Sequence, residues 1–320
     1  MARIETIPLE REAAPAAWWR TNATALLFMG PAALLVILFF FVPVVLTLGM
    51  SFTDLATATG LSGWKWIGTA NYEQIFRGSF TGLIVRNTIA YVALTLAFNV
   101  VIGLAVALLS VHMAGRAGGL FRAFWLLPRI SPSVVYTLMW TWAAAPAPFG
   151  IFNELAAPFG VAPRFWMNTD PWLFIIFLNG FVGASLGMLV FTSAIESIPE
   201  DLFRAARVDG ANAWQIVRRI TLPLIRWPIL FVLVYQTMSL LASYEYILLT
   251  TNGGPGLYLT EVWSLWAFHT ALQSYYGNLE IGLGAAMAAI LVLGGVVVSF
   301  FLLRVFRFND LVTEPRVEIT

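Results

Sequence analysis

The 320-residue chain has no cysteine and little charge, Asp, Glu, Lys and Arg together making up 11% of it. The first absence excludes thiolate chemistry, cysteine metal sites and disulfides. The second argues against an ordinary soluble domain, in which about 25% of residues are charged. Histidine is scarce as well: His112 and His269 stand far apart, so no metal site is expected. A formal net charge of +1 lacks the basic surplus that neutralises phosphates, which argues against a nucleic-acid partner. No Gly-x-x-x-x-Gly-Lys-Ser/Thr loop is present, so any ATP must be bound by another chain, and no cofactor is expected on this one. His-Glu-x-x-His, Gly-x-Ser-x-Gly and paired intramembrane carboxylates are also missing, which argues against an intramembrane enzyme.

What the chain does have is apolar length: 59% of residues are hydrophobic and 15% aromatic. A helix needs about 20 mostly apolar residues to cross a bilayer. Stretches nearly free of charge lie near 24–50, 86–111, 123–144, 172–194, 224–250 and 281–303, which predicts an all-α polytopic membrane protein with six transmembrane helices in one domain, 24–304. The first run is longer than the h-region of a signal peptide, so it is expected to persist in the mature chain. In the third, Arg129 between Pro128 and Pro132 predicts a break or kink.

Arginine placement sets the expected orientation. Arg3, Arg11, Arg20, Arg116, Arg122, Arg204, Arg207, Arg218, Arg219, Arg226, Arg304, Arg307 and Arg316 fall on one face, against Lys65, Arg77, Arg86 and Arg164 on the other, with Arg129, inside the third run, as a candidate fifth. Both tails, 1–23 and 305–320, are therefore expected in the cytoplasm. Trp64, Trp66, Trp166, Trp172, Trp263 and Trp266 fall on the opposite face as an interfacial belt.

Residues 196–223 form the one long polar, arginine-rich stretch between two spans. Pro199, with Glu200 and Asp201 in the first turn, predicts a helix over 200–208. Asp209-Gly210 breaks it, and a second helix is expected from Ala211 to Ile220 with Trp214, Val217 and Ile220 on one apolar face. From the residues alone, an amphipathic hairpin on anionic headgroups stays open.

The run Ala205-Ala206, Asp209-Gly210-Ala211 and Ile220-Thr221-Leu222-Pro223 resembles the signature loop of permease subunits of binding-protein-dependent ABC importers. Trp66-Ile67-Gly68-Thr69-Ala70-Asn71-Tyr72, Phe121-Arg122, Leu127-Pro128 and Thr250-Thr251-Asn252-Gly253-Gly254-Pro255 are similar to the carbohydrate-uptake branch, the last to its maltose-permease-like first subunit. The resemblance implies a type I importer permease fold in a bacterial inner membrane. It implies a second permease, two cytoplasmic ATPase subunits that hold ATP and Mg, and an extracytoplasmic solute-binding protein meeting connectors 51–83 and 252–280. It further implies that Glu200, Asp201, Arg204, Ala205, Ala206, Asp209, Gly210, Ala211, Leu222 and Pro223 belong to the loop that couples to the ATPase. Arg204 stands where the family commonly has an acid, and Glu200 and Asp201 are the candidates to take over its charge role.

A substrate path is expected on span five. At 100° per residue, Gln236, Ser239, Ser243, Tyr246 and Thr250 share one stripe, with Tyr244 or Tyr246 offering a stacking face, a set suited to a sugar or polyol. Interhelical hydrogen bonding is the alternative for these residues. Glu245 falls opposite, about 22 residues or ~33 Å beyond Pro223, where an outer-face arginine is its expected partner. Arg86 and Arg129 leave an anionic polyol phosphate open as cargo. An ion-coupled carrier is disfavoured because spans two, four and six have no internal charge. Asn179, Gly183 and Gly187 recur every four residues on span four, a close-packing pattern in which Asn179 is the one transport candidate.

Overall fold

The computed structural model describes residues 23–113, 116–146, 148–273 and 277–306. The tails through residue 22 and from 307, with Arg3, Arg11, Arg20, Arg307 and Arg316, lie outside the described residues. The chain divides into two compact units, Met1–Gly49 and Met50–Thr320.

The first unit contains α1 (Ala23–Val36), a π-helical turn at Ile37–Phe41, and most of α2 (Val42–Met50). From Leu27 to Met50 it is uniformly apolar, with none of its most apolar window buried inside the molecule, as expected of a helix whose solvent is lipid.

The second unit begins with α3 (Ala70–Arg77), α4 (Thr81–His112), α5 (Arg116–Ile130) and α6 (Ser133–Ala143). It continues with α7 (Pro171–Glu196), α8 (Glu200–Val208) and α9 (Ala213–Ile216). After these come α10 (Arg226–Ala242), α11 (Glu245–Thr250), α12 (Trp263–Leu272) and α13 (Ile281–Val305). Among the described residues there is no strand, only a bridge between Thr53 and Trp66.

Among the described residues, four helices are long and apolar enough to cross a membrane: Leu27–Met50, Thr81–His112, Pro171–Glu196 and Ile281–Val305. Span two starts before Arg86, because an exposed arginine near a helix end can snorkel to the interface. Span three is two short helices parted at Ser131-Pro132. Proline disfavours helical backbone at the residue before it, and Pro132 itself is extended, with ψ 136°. Span five is bent by 71° between Ala213–Leu224 and Arg226–Ala242. The restart places Pro228 in the first turn of α10, where a missing N–H goes unnoticed.

Span five is also not one helix to residue 250. It ends at Ala242, Ser243 is extended with ψ 116°, and α11 restarts at Glu245. No proline or glycine announces this break. Tertiary partners satisfy it instead: Ser264 Oγ donates to the Ser243 carbonyl at 3.2 Å.

The core lies where α4 and α7 cross. A Cβ on Gly103 would sit 2.8 Å from the Ala184 carbonyl oxygen, and one on Gly183 would overlap Asn99, so the small residues of span four serve close approach. Trp263 leaves the expected belt. It is 5% exposed and donates its indole N–H to the Met287 carbonyl at 2.8 Å, pinning α12 to α13.

Candidate functional site

The loop between α7 and α10 has a complete local explanation. Pro199 precedes α8, with Glu200 and Asp201 at the positive end of the helix dipole. At the other end Gly210 takes φ +78°, its N–H bonds to Arg207 O at 3.1 Å, and the Ala211 N–H bonds to Ala206 O at 2.9 Å. This is a Schellman closure, and it needs a residue at ease in the left-handed region. Asn212 then caps α9. Its Oδ1 accepts from the Gln215 N–H at 2.9 Å while Gln215 Oε1 accepts from the Asn212 N–H at 2.8 Å.

The second limb departs from the expected helix over 211–220. It begins at Ala213, passes through a π-helical turn at Val217–Thr221 and ends as a short helical turn, Leu222–Leu224, containing Pro223. The π turn spoils 100° spacing, so the expected face of Trp214, Val217 and Ile220 does not form. Trp214 is 68% exposed, whereas Ile216, Val217 and Thr221 face a groove of about 650 Å³ against the ends of α4 and α7. Val208, at the elbow, is 87% exposed. Asp209 and Gly210 are exposed beside it, and Ala206 and Ala211 line a smaller hollow with them.

Arg204 is held by its own helix. It bonds Glu200 at 2.8 Å and lies 3.7 Å from Asp201, so the unexpected cation is neutralised one turn earlier. Glu followed by Arg at i+4 is the favourable order. The hydrogen bond from Arg204, then its charge, holds the Glu200 carboxyl below its ordinary pKa. Arg122 of α5 reaches Glu196, the last residue of α7, at 2.6 Å and ties the root of the loop to a second helix.

The break in span five removes the single stripe expected there. Gln236 is buried, donates to the Gly183 carbonyl at 2.7 Å and meets the Asn99 amide at 3.3 Å. Immediately after the α10 terminus, Ser243 Oγ lies 3.2 Å from Tyr91 Oη and 3.3 Å from Asn179 Nδ2, and Asn179 also bonds Tyr91 directly. These side chains join α4, α7 and span five. Ser239 stands apart, exposed on α10. Tyr244 stacks on Phe268 with centroids 4.8 Å apart, Tyr246 is half-buried, and Thr250 Oγ1 donates to the Tyr246 carbonyl at 2.6 Å within α11. Glu245 accepts from Ser133 Oγ at 2.6 Å, so α6 supplies its partner in place of the expected arginine. Arg86 and Arg129 are exposed.

Several of these partners escaped the sequence reading. Asn87, Tyr91, Thr95 and Asn99 recur every four residues along α4 and are all buried, a polar stripe whose helical spacing is visible in the sequence. Asn87 Nδ2 holds the Tyr258, Leu259 and Glu261 carbonyls at 3.1–3.2 Å and so anchors the turn beyond α11. In that turn Asn252 and Gly253 have φ +50° and +82°, and a Cβ on Gly253 would collide with the Glu261 carboxylate.

A capped helix–turn–helix thus lies at one end of the α4/α7 pair and a hydrogen-bonded glycine turn at the other. Residues 99–308 match the family described as the binding-protein-dependent transport system inner membrane component. The chain belongs to that family. This inner membrane component is 27% identical over 300 residues to the trehalose/maltose transport system permease protein MalF of Thermococcus litoralis, covering 91% of the chain and 96% of MalF. It is 28% identical over 308 residues to the trehalose transport system permease protein SugA of Mycobacterium tuberculosis, covering 93% and 95%. Its fold is that of a chain in the crystal structure of a bacterial ABC transporter that imports the acidic polysaccharide alginate, at TM-score 0.77, 22% identity and coverage of 92% and 98%. The permease is thus a multi-pass inner membrane protein of type I importer fold.

Proposed function

We propose that this permease is the membrane-spanning subunit of an ATP-driven importer for a sugar or glycoside, with the elbow at Glu200–Leu224 seated on an ATPase partner. The observation that carries the coupling role is the elbow's surface: Val208 and Trp214 stand uncovered on a loop whose backbone is closed by a Schellman motif and a capping box. A loop so well ordered, presenting bare apolar side chains, is built for a protein surface. The carbohydrate class is supported by the names of full-length relatives, MalF and SugA among them.

In this reading the chain performs no chemistry. ATP and Mg are held by two ATPase subunits, a second permease completes the path, and a solute-binding protein delivers cargo at the end opposite the elbow. Ser239, exposed on α10, is assigned to that path as a hydroxyl within reach of solute. Ser243, Tyr244, Tyr246 and Thr250 continue it, while Asn179 and Gln236 hold the helices in register.

The test is ATP hydrolysis by the reconstituted complex across a panel of sugars, glycosides, polyols and polyol phosphates, each with its binding protein. Gly210 has open space around it within this chain, so Gly210→Trp burdens the partner interface more than the fold. Gly210→Asn, which tolerates the left-handed backbone, is the control. Gly210→Trp should abolish substrate-stimulated hydrolysis while Gly210→Asn retains it. Equal activity in both would remove the elbow from coupling. Ser239→Leu should weaken uptake with assembly intact, and normal uptake would move the path elsewhere.

A further inference from the structure

At the end opposite the elbow, a cavity of about 810 Å³ opens between the Asn252–Leu257 turn, the last turn of α12 and the residues leading into α13. Its chemistry is one-sided. The walls carry two carboxylates, Glu261 and Glu280, the polar side chains of Asn252, His269 and Gln273, and the indole of Trp266, and among the described residues neither Lys nor Arg lines it. Glu261 is 2% exposed, and His269 Nδ1 lies 2.9 Å from its carboxylate. His269 Nε2 lies 3.1 Å from the Asn252 side-chain amide, so the imidazole bridges the buried carboxylate and the glycine turn. Glu280, half-buried at the start of α13, forms no ion pair among the described residues.

The walls are preformed. Thr260 donates through its N–H to Gly253 O at 3.0 Å and through Oγ1 to Gly254 O at 2.6 Å, and Asn87 clamps three carbonyls from behind. Gly253 leaves the space that Glu261 fills. An acidic cavity with an indole in its lining suits an ammonium or guanidinium group, which gains charge pairing and an apolar ring to pack against.

We infer that this cavity is a socket for a lysine or arginine side chain of the solute-binding protein, with Glu280 as its counter-charge. The inference rests on the importer reading above and adds to it the charge and place of the docking contact. An anion is repelled by Glu280. A neutral sugar would leave that carboxylate without a counter-charge, and so is the alternative the test must separate.

The experiment uses the full complex in lipid nanodiscs and its purified binding protein, with docking affinity measured at low and at physiological salt. Glu280→Gln should weaken docking about tenfold and flatten its salt dependence, and Glu280→Lys about a hundredfold. Gln273→Arg, which places a cation in the socket without touching Glu280, should also weaken docking about tenfold. An acidic replacement at one basic residue of the binding protein should restore affinity to the Glu280→Lys complex. Unchanged docking in all three variants overturns the socket. An altered KM for free solute with unchanged docking overturns it in favour of a sugar site. If the unmodified complex neither binds nor responds to any binding protein, the importer reading itself fails and the socket with it.

Discussion

Gly210 and Gly253 share a backbone conformation, φ +78° and +82°, at opposite ends of the molecule, yet their surroundings differ completely. Nothing lies within 4 Å of a Cβ built on Gly210, whereas one on Gly253 would displace the Glu261 carboxylate. The inner turn is glycine for its backbone alone and keeps its surface free. The outer turn is glycine for backbone and space together, because a buried charged residue is folded beneath it. The inner turn leaves its surface open, and the outer turn is packed from within.

The largest test of that contrast is Gly253→Ala. It adds left-handed strain of about 1–2 kcal/mol and, by pushing Glu261 off His269, the cost of an unpaired buried carboxylate, for a total of about 3 kcal/mol or more. A large fall in the thermal midpoint of the purified permease would bear this out, and a loss no greater than that of Gly210→Ala would erase the distinction. Gly210→Ala itself should cost only the strain, about 1–2 kcal/mol, in the same melt.

Asn179→Leu comes next, since it removes two bonds that join α4, α7 and span five. About 1 kcal/mol is expected, the scale of interhelical hydrogen bonds in membranes, and Tyr91→Phe in the same background should add less than its separate effect. Full additivity would mean that the three side chains do not act as one network. At the root of the elbow, a double-mutant cycle on Arg122 and Glu196 should give a coupling below about 1 kcal/mol because both partners are partly exposed. A larger value would make the inner end as firmly packed as the outer.

The smallest effect concerns pH. Glu200 has its folded-state pKa lowered by Arg204, so its support for α8 is present above the unfolded carboxylate value, about 4.3, and is lost as pH falls through the folded value. Glu200→Gln should remove that dependence from α8, read as amide exchange over 201–208. An identical acid profile in both proteins would mean that the pair contributes nothing there.

The long spans were legible because hydrophobic length and charge avoidance are properties of the chain itself. So was α8, whose proline, acids and glycine act within a few residues. What could not be read came from contacts distant in sequence. The break at Ser243 is sustained by Ser264, Tyr91 and Asn179, none of which is near it in the chain. A regular 100° projection assumed that span five continues, and so it placed Tyr246 and Thr250 on a stripe with Gln236 that the broken backbone does not make. The π turn at Val217–Thr221 undid the expected apolar face of the elbow in the same way. Trp263 read as a belt residue because composition cannot show that Met287 waits to accept its N–H.

The interruption at Ser243 has a mechanical meaning. Below it, α10 is tied to α7 through Gln236, and above it, α11 is tied to α6 through Glu245 and Ser133. Span five is therefore two segments sharing a pin at Ser243, each held by a different neighbour.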